Sequence, residues 1–547
     1  MHNGGQVQEI IRMLQKNNNK RPQLASLIIS AAHRFEQFSC QIPGLLFDFS
    51  RTTLNGNDFS ALFALAEAAG VPDARRRLFA GEPINNTENR AVLHTLWRGR
   101  NFHQLLSKTE ATECIQALER MRRIATAMHQ GHLPSGESAS SQRIRHVIHV
   151  GIGGSLLGPR LLCHAFPGSE RAPEVHFISS VDAWERERLL ATIDPRETAI
   201  ILVSKSFATS EVLSHARRLR QWQNSALDPQ ASAQRLFAVT AAVDKAIAFG
   251  VSESQIMQMG EWTGGRYSLW SPVSLAAAIS MGPAAFDQLC AGGASMDRHF
   301  CEAHPVDNLP LIHGLLSCWH RNVCNYPCRA LIPYGSRLQG LPAWLQQVQM
   351  ESNGKSVSRE GEPLRLETSP LVFGDCGTDA QHALFQAFHQ GTAVVPLDFI
   401  GVIRPDHADT AAQAELLSHL LAQASALALG RGREETSAQM VSEGKSPGQI
   451  EQLLPHRIMP GSRPSSIFLI DELTPENLGK MLALYEHSVF VESVVWNINA
   501  FDQWGVELGK VMASSIEPAL TGSGKTTRPG IPGLDGLVAH IRRVWQG

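Results

Sequence analysis

The chain has 547 residues, of which 43% are hydrophobic and 18% are charged, and its formal net charge is -2. This length predicts two or three domains, and the near-neutral charge argues against binding to nucleic acid or to an anionic membrane. We expect no secretory leader, because no charged segment followed by an apolar one stands at the N-terminus, and no membrane helix, because no apolar run reaches about 18 residues. The nine cysteines lack zinc-site spacing, so reduced thiols in a cytoplasmic protein are expected.

Residues 1–110 are predicted to be mainly helical and irregular. A first α/β block follows, in which apolar segments alternate with helix-like segments about every 30 residues, as in the βαβ units of a parallel sheet. The strands predicted for this block are residues 146–150, 175–179, 199–203 and 236–240.

A second α/β block has strands predicted at residues 330–332, 370–373, 394–400 and 466–470. The segment 430–464, before its last strand, is polar and rich in Gly, Ser and Pro, and we expect a long excursion there. The fold class predicted by the two blocks is α/β with parallel sheets.

A loop typical of anion binding follows the first predicted strand. It reads GIGGS at residues 151–155 and includes Gly154 and Ser155. Glycines let the backbone approach a ligand, and the N-terminus of a following helix favours negative charge; Pro159 marks a position where that helix could begin. The dinucleotide pattern GxGxxG is excluded because Leu156 stands in place of its last glycine. A tight turn without a ligand is the alternative.

A second loop, at residues 204–209, follows the third predicted strand. It contains Ser204, Lys205, Ser206 and Thr209, although hydroxyl residues also serve simply as helix caps. Because carboxyl ends of neighbouring parallel strands meet at one crevice, the two loops together predict a site for a phosphate monoester without an attached nucleotide.

Two further segments carry residues suited to catalysis. Arg266 follows two glycines in GGRYS, and its rigid fork of donors suits a phosphate or a developing oxyanion; a surface arginine in a turn is the alternative.

Glu351 lies three residues before Gly354, where an Asn-Gly pair signals a helix end. Glu351 is therefore expected in a last helical turn, with Gln347 one turn earlier on the same face. That position suits a base that takes and returns a proton, and a solvated glutamate is the alternative.

A histidine and a lysine complete the candidates. Thr378 and Gln381 have capping-box spacing, so His382 is expected in a first helical turn, where the helix dipole favours the uncharged ring that proton exchange requires. Lys510 ends the segment FDQWGVELGK, on a helix expected to be partly buried. Structural roles are the alternatives, since most lone histidines are not catalytic and lysines commonly keep their ammonium group in solvent.

Together these motifs closely resemble the glucose-6-phosphate isomerase family, and they occur in the order found in that family. The resemblance covers nearly the whole chain and is clearest over residues 145–515. It is carried by GIGGS at 151–155, SKSFATSE at 204–211, GGRYSLWS at 264–271, QQVQMESNGK at 346–355, GTDAQHALFQ at 377–386, HRIMPGSRPSS at 456–466 and QWGVELGK at 503–510.

The resemblance implies reversible interconversion of D-glucose 6-phosphate and D-fructose 6-phosphate, in glycolysis and gluconeogenesis, by a homodimer without metal or organic cofactor. It also implies two sugar-isomerase (SIS) type αβα sandwich domains, expected at residues 111–275 and 276–515. A helical region at 1–110 is expected to pack on the larger domain, and residues 516–547 are expected to form a C-terminal arm.

By the same resemblance, Glu351 moves a proton between C1 and C2, and Arg266 stabilises the cis-enediolate. Lys510, with His382 contributed across the dimer interface, assists ring opening and the hydroxyl proton transfers. Substrate contacts are implied for Gly154, Ser155, Ser204, Lys205, Ser206, Thr209, Gln347 and Gln503. The chain departs from the family pattern at Ser206, where many members carry Thr, and at residues 374–376, where a Glu-Pro or similar pair is common.

Parts of the sequence are also compatible with two rival functions. A non-enzymatic sugar-phosphate-binding protein would keep the hydroxyl loops but has no use for Glu351, His382 and Lys510 together. A P-loop kinase is suggested by TGSGKTT at residues 521–527. The Walker pattern requires a glycine where Ala519 stands, and the segment is expected to follow a helix. We therefore expect a flexible, glycine-rich arm there instead.

Overall fold

The computed structural model describes residues 2–19, 21–134, 143–522 and 532–546. The chain divides into two compact units, Met1–Ala500 and Phe501–Gly547. The strands, all in the first unit, are β1 Ser39–Ile42, β2 Leu45–Asp48, β3 His146–Val150, β4 Glu174–Ile178, β5 Thr198–Val203, β6 Leu236–Thr240, β7 Ile256–Gln258, β8 Cys328–Tyr334, β9 Leu371–Phe373, β10 Leu397–Arg404 and β11 Ser465–Glu472, counting only the described residues.

The helices of the first unit are α1 Gly4–Asn18, α2 Leu24–Ser30, α3 Arg34–Gln37, α4 Gly56–Ala69, α5 Val71–Phe79, α6 Leu96–Gly99, α7 Lys108–His129, α8 Gly154–Ala165, α9 Ala183–Leu190, α10 Ser210–Asn224, α11 Pro229–Ala233, α12 Val243–Phe249, α13 Leu275–Met281, α14 Pro283–Glu302, α15 Leu309–Cys318, α16 Leu341–Gln346, α17 Gly377–Ala383, α18 Phe385–Gln390, α19 Thr410–Leu429, α20 Arg433–Ser442, α21 Pro447–Arg457 and α22 Pro475–Val495.

The first sheet has the strand order β4-β3-β5-β6-β7, and every pairing in it is parallel. β5 is buried along its whole length, as expected for a parallel strand covered on both faces. Residues of α10 and α12 pack against Ile148, Ile200 and Leu202 of the sheet. Helices α7, α8 and α13 also contact the sheet. The four strands predicted for this block are confirmed; β7 was not predicted.

The second sheet has the order β1-β2-β11-β10-β8-β9. Strands β8 to β11 pair in parallel, and all four were predicted, with ends shifted by a few residues. The hairpin β1–β2 joins β11 in antiparallel register, and Phe47 stacks on Phe468 with ring centroids 4.5 Å apart. Residues 1–110, predicted to be mainly helical and irregular, thus also contain the hairpin β1–β2, which was not predicted. The 430–464 segment also contains helices α20 and α21.

Helix α22 lies at the centre of the first unit. Residues 478–495 are all buried, which is the pattern of a helix enclosed on every side, and α22 contacts α14 and α15. It nevertheless carries charged residues, among them Glu486 and Glu492, which bond to partners on other segments. None of the helices in the described ranges has both the length and the apolar character of a membrane span.

The second unit contains a 3-10 turn, Trp504–Val506, and the helices α23 Glu507–Thr521 and α24 Leu534–Gln546. The TGSGKTT segment follows a helix, as expected, because Thr521 ends α23 and Gly522 has a φ of +77°. Its remaining residues, 523–527, lie outside the described residues. The expected arm at 516–547 includes part of α23 and all of α24, and the four-part domain division stays a prediction.

Candidate active site

Glu351 lies in the last turn of a helix, as its sequence context predicts. Helix α16 continues into a π-helical turn over Gln347–Glu351, a widened form frequent at functional sites. Gln347 Nε2 donates to Glu351 Oε2 at 2.8 Å. Gly354 does not adopt the left-handed conformation; its N–H donates to the Met350 carbonyl at 2.9 Å.

Lys355, which the sequence analysis did not single out, closes this helix end. Its Nζ donates to the carbonyls of Glu351 at 3.2 Å and Ser352 at 2.9 Å, and to that of Asn499 at 3.1 Å. A cation is favourable at this position because the last carbonyls of a helix lack partners and carry negative partial charge. Lys355 therefore fixes the backbone that carries Glu351.

Arg266 is buried against Glu351, so the surface-arginine alternative is wrong. Its side chain is 1% exposed, and Nη1 lies 3.8 Å from Glu351 Oε1. Nε donates to Ser352 Oγ at 2.7 Å, and Nη2 donates to the Ala500 carbonyl. The Tyr267 hydroxyl contacts the same Ser352 Oγ at 2.8 Å. The guanidinium is thus held in place by neighbours other than Glu351. The Glu351 side chain itself is still partly exposed to solvent.

The GIGGS turn packs directly on these two segments. Gly153 has a φ of +58°, and a Cβ there would lie 3.0 Å from Gln347 Nε2. A Cβ on Gly154 would overlap the Gly265 carbonyl oxygen, so a side chain at this position would push Arg266 away. Glycine is therefore required for close approach of the three segments.

Ser155 lies in the first turn of α8, which begins at Gly154; Pro159 is inside that helix rather than at its start. The half-buried Ser155 is supported by His149, a residue that sequence analysis missed. Nε2 of His149 lies 2.6 Å from the Ser155 carbonyl oxygen. Burial lowers the pKa of His149 to about 4, so the ring is neutral at pH 7 and donates an Nε2–H bond.

The hydroxyl loop, residues 204–209, leaves the same edge of the first sheet, since β5 pairs with β3. Phe207 has a φ of +45° and is buried in the core, which fixes the loop. Ser204 Oγ and Thr209 Oγ1 lie 2.9 Å apart, and Ser206 is exposed. These hydroxyls, with the free N–H groups that begin α10, form a surface suited to an anion.

Lys205 ties the hydroxyl loop to the segment before Arg266. Its Nζ donates to the Glu261 carbonyl at 2.5 Å and lies 3.3 Å from the Thr263 carbonyl and from Glu261 Oε2. Burial lowers the pKa of Lys205, and the nearby Glu261 carboxylate opposes this shift. The ammonium thus adds positive charge beside the loop.

A buried carboxylate on α22, Glu492, supports the Glu351 turn. It accepts hydrogen bonds from Gln349 and, at 3.0 Å, from Asn353. Arg329 donates to Gln349 Oε1 at 3.1 Å and lies 3.8 Å from Glu492 Oε1. No local motif marks Glu492, because it reaches the site only through the packing of α22.

Three further predicted residues lie on other elements of the chain. His382 is exposed in the last turn of α17, not in its first, because the helix starts at Gly377. Gln381 donates to the Tyr334 hydroxyl at 2.8 Å instead of forming the predicted capping box, so the helix-dipole argument for an uncharged His382 does not hold. Lys510 is exposed on α23 rather than partly buried, and Gln503 is half-buried; both belong to the second unit.

Comparison with known proteins decides the family. The family model described as phosphoglucose isomerase matches residues 48–530. The chain belongs to the phosphoglucose isomerase family. A glucose-6-phosphate isomerase of Xanthobacter autotrophicus is 42% identical over 517 residues, which cover 94% of each chain. One of Caulobacter vibrioides is 41% identical over 512 residues, covering 93% of this chain and 94% of the relative.

A solved phosphoglucose isomerase family structure agrees. The crystal structure of a glucose-6-phosphate isomerase from Chlamydia trachomatis matches with a TM-score of 0.82 and 28% identity. The match covers 98% of this chain and 99% of that one. The family resemblance drawn from the motifs is confirmed, and so is the α/β fold class with two parallel-sheet cores.

Proposed function

We propose that this isomerase interconverts D-glucose 6-phosphate and D-fructose 6-phosphate at the convergence of the GIGGS turn, Arg266 and Glu351. The observation that carries the proposal is the pair formed by Glu351 and the buried Arg266, 3.8 Å apart, together with two loops whose composition suits an anion. A carboxylate that exchanges protons needs a nearby positive group for the charge that develops on the substrate. Family membership supports the same reaction.

Phosphate binding is the first step. The sugar's phosphate contacts the hydroxyl loop through Ser204, Ser206 and Thr209, with Ser155 and the backbone at Gly154 on the neighbouring turn and Lys205 adding charge. Gln347 and Gln503 contact the sugar. His382 and Lys510 then move a proton from the anomeric hydroxyl to the ring oxygen, which opens the ring.

Proton transfer at carbon follows. Glu351 removes the C2 proton of the open aldose, the C–H electrons form the C1–C2 double bond, and negative charge develops on O1. Arg266 offsets that charge electrostatically. Glu351 returns its proton to C1 while the O2 proton moves to O1, which leaves the ketose. One carboxylate serves both carbons because they are adjacent in a nearly planar intermediate.

The test is an isomerase assay. Purified protein should convert fructose 6-phosphate to glucose 6-phosphate, and the rate should persist in the presence of a chelator, because the proposed steps use side chains alone. The non-enzymatic alternative predicts saturable sugar-phosphate binding with no turnover. That result would overturn the proposed activity while leaving the binding loops in place.

We further propose a cytoplasmic homodimer in which the partner subunit's His382 completes each site. His382 is exposed on α17, a helix that contacts the second sheet. This exposure supports the arrangement, because an exposed side chain can reach a partner subunit. It predicts complementation between two inactive chains, Glu351→Gln and His382→Ala. In a heterodimer one site collects both changes and the other collects neither.

Unfolding and refolding an equal mixture of the two variants should therefore restore about a quarter of wild-type activity, because half of the random dimers are mixed and each has one intact site. Each variant refolded alone is the control. If mixed dimers form and activity does not return, Glu351 and His382 of one chain serve the same site, and the shared-site proposal fails while the assigned chemistry stands.

A further inference from the structure

Three side chains of the types that bind metal ions lie where strands β3 and β4 begin. The proposed active site is at the other end of these strands. His146 is the first residue of β3 and Glu174 the first of β4, whereas the GIGGS turn follows the other end of β3. His146 pairs in register with Glu174, and Ile148 with His176. Since every second residue of a strand points to the same face, His146, Glu174 and His176 share one face of the sheet.

The ligand atoms form a compact triangle. His146 Nδ1 lies 3.1 Å from His176 Nε2, and Glu174 Oε2 lies 3.9 Å from the first and 3.8 Å from the second. A point equidistant from three atoms with these separations is about 2.1 Å from each, which matches the zinc–nitrogen and zinc–oxygen distances of about 2.0–2.2 Å in proteins. A small rotation of the exposed Glu174 would let an ion rise out of this plane toward tetrahedral geometry.

The surroundings hold the two rings and leave an entry path. The side chains of His146 and His176 are 20% and 16% exposed, while that of Glu174 is 70% exposed. Ile148 and Ile178, next on the same face, belong to the packed core of the sheet.

Two imidazoles and one carboxylate match the preferences of borderline divalent ions such as Zn²⁺ and Co²⁺, whereas Mg²⁺ and Ca²⁺ prefer oxygen ligands. Three protein ligands leave a fourth tetrahedral position for water. The competing explanation for the 3.1 Å contact is a hydrogen bond between neutral rings, with a proton on one nitrogen. Metal binding instead requires lone pairs on both nitrogens.

We propose that His146, Glu174 and His176 bind one divalent transition-metal ion, which joins the edge strand β4 to β3. The site is separate from the proposed isomerase chemistry. The metal ion would connect His146 and Glu174, which are 28 positions apart in the chain. It therefore stabilises the folded sheet, because it binds the folded sheet in preference to the unfolded chain.

The test uses Co²⁺ and Zn²⁺ as probes with untagged protein, because a histidine tag would itself bind them. Titration with Co²⁺ should saturate at one ion per chain and give the intense visible bands of a tetrahedral N/O site, which Zn²⁺ then removes. Glu174→Gln should weaken binding by at least about tenfold, since loss even of an outer-sphere partner costs about 10- to 100-fold. A double variant, His146→Ala with His176→Ala, should not bind.

His103→Ala is the matched control, because it removes an exposed histidine outside the group and should leave Co²⁺ binding unchanged. Zn²⁺ should also raise the melting temperature of the wild type but not that of the Glu174→Gln variant at the same concentration. Glu174 is exposed, so its substitution does not threaten folding.

Three outcomes would each overturn the proposal. They are the absence of saturable Co²⁺ binding, binding that is undiminished in Glu174→Gln, and thiolate charge-transfer bands that place the ion on a cysteine. The isomerase assay is run with chelator, so these outcomes do not bear on the proposed activity.

Discussion

The turn around Glu351 and the hydroxyl loop at residues 204–209 differ in how they are held. Buried groups fix the turn, because Arg266 donates to Ser352 and Glu492 accepts from Asn353. The hydroxyl loop is anchored by Phe207 but leaves Ser206 exposed. Proton transfer requires positions accurate to about 0.5 Å, whereas a bound phosphate completes the hydrogen bonds of its own site. The comparison predicts that changes at the turn lower kcat and that changes in the loop raise KM.

The largest effect is expected for Glu351→Gln. The amide keeps the shape of the side chain but cannot take up a proton, so kcat should fall by about 10³- to 10⁴-fold, near the upper range for a general base. Proton exchange from C2 into heavy water should be lost as well, with sugar-phosphate binding retained. Glu367→Gln, which changes an exposed glutamate, is the control. Exchange at the wild-type rate in Glu351→Gln would remove this residue from the role.

Glu492→Gln tests whether the buried support sets the position of Glu351. The change removes one of the two carboxylates beside Arg329, the other being that of Asp398 at 4.0 Å, and it places an amide N–H₂ among the donors of Gln349 and Asn353. Breaking a buried pair in this way should lower the free energy of unfolding by about 3–5 kcal/mol. At temperatures where the variant is folded, kcat should also fall about 10- to 100-fold with little change in KM, because a small misplacement is costly.

The control for Glu492→Gln is Asp58→Asn, which removes a carboxylate that pairs with Arg21 in another part of the first unit. It should lower stability without changing kcat in the folded protein. Circular dichroism melts and steady-state kinetics on both variants separate the two effects. Equal kcat values for Glu492→Gln and the wild type would restrict Glu492 to a purely structural role.

His149 gives the GIGGS turn a pH-dependent stability. Burial lowers its pKa to about 4 in the folded protein, while the unfolded chain binds a proton near pH 6.5. Its contribution is therefore fully present above pH 6.5 and is lost as the pH falls toward 4, by roughly 3 kcal/mol in total. His149→Gln keeps an N–H for the Ser155 carbonyl but does not titrate.

Urea unfolding at a series of pH values checks this. The stability advantage of the wild type over His149→Gln should shrink by roughly 3 kcal/mol between pH 6.5 and 4. His103→Gln, at an exposed histidine, should follow the wild type throughout. Parallel pH curves for the wild type and His149→Gln would show that His149 is protonated as easily in the folded state as in the unfolded chain.

Local patterns predicted much of this molecule. Apolar runs located eight strands because most of these strands are buried in a parallel core, and the Asn353-Gly354 pair correctly ended the helix of Glu351. Two elements that were not predicted, the hairpin β1–β2 and helix α21, also carry local sequence signals. Pro43-Gly44 separates β1 from β2, and Ser446, Pro447 and Gln449 start α21 with a capping box.

Other features depend on contacts between distant parts of the chain. Gln381 was expected to cap its own helix, but its bond to the Tyr334 hydroxyl replaces that cap and moves His382 away from the helix start. Glu492 supports residues more than a hundred positions away, and His146 meets Glu174 only through strand pairing. Spacing along the sequence could not reveal these groups.

The smallest effect is expected in the hydroxyl loop. Ser204→Ala with Ser206→Ala removes two neutral donors, each worth about 0.5–1.5 kcal/mol and more toward a charged acceptor. KM for the phosphorylated sugar and the inhibition constant for inorganic phosphate should therefore rise together by about 10- to 100-fold, with kcat nearly unchanged. A double variant, Ser214→Ala on α10 with Ser225→Ala at the residue after its end, removes two exposed hydroxyls outside the loop and should change neither constant. If the Ser204/Ser206 variant instead lowered kcat with phosphate inhibition intact, the loop would act with the Glu351 turn as one rigid unit, and the division between positioning and anchoring would fail.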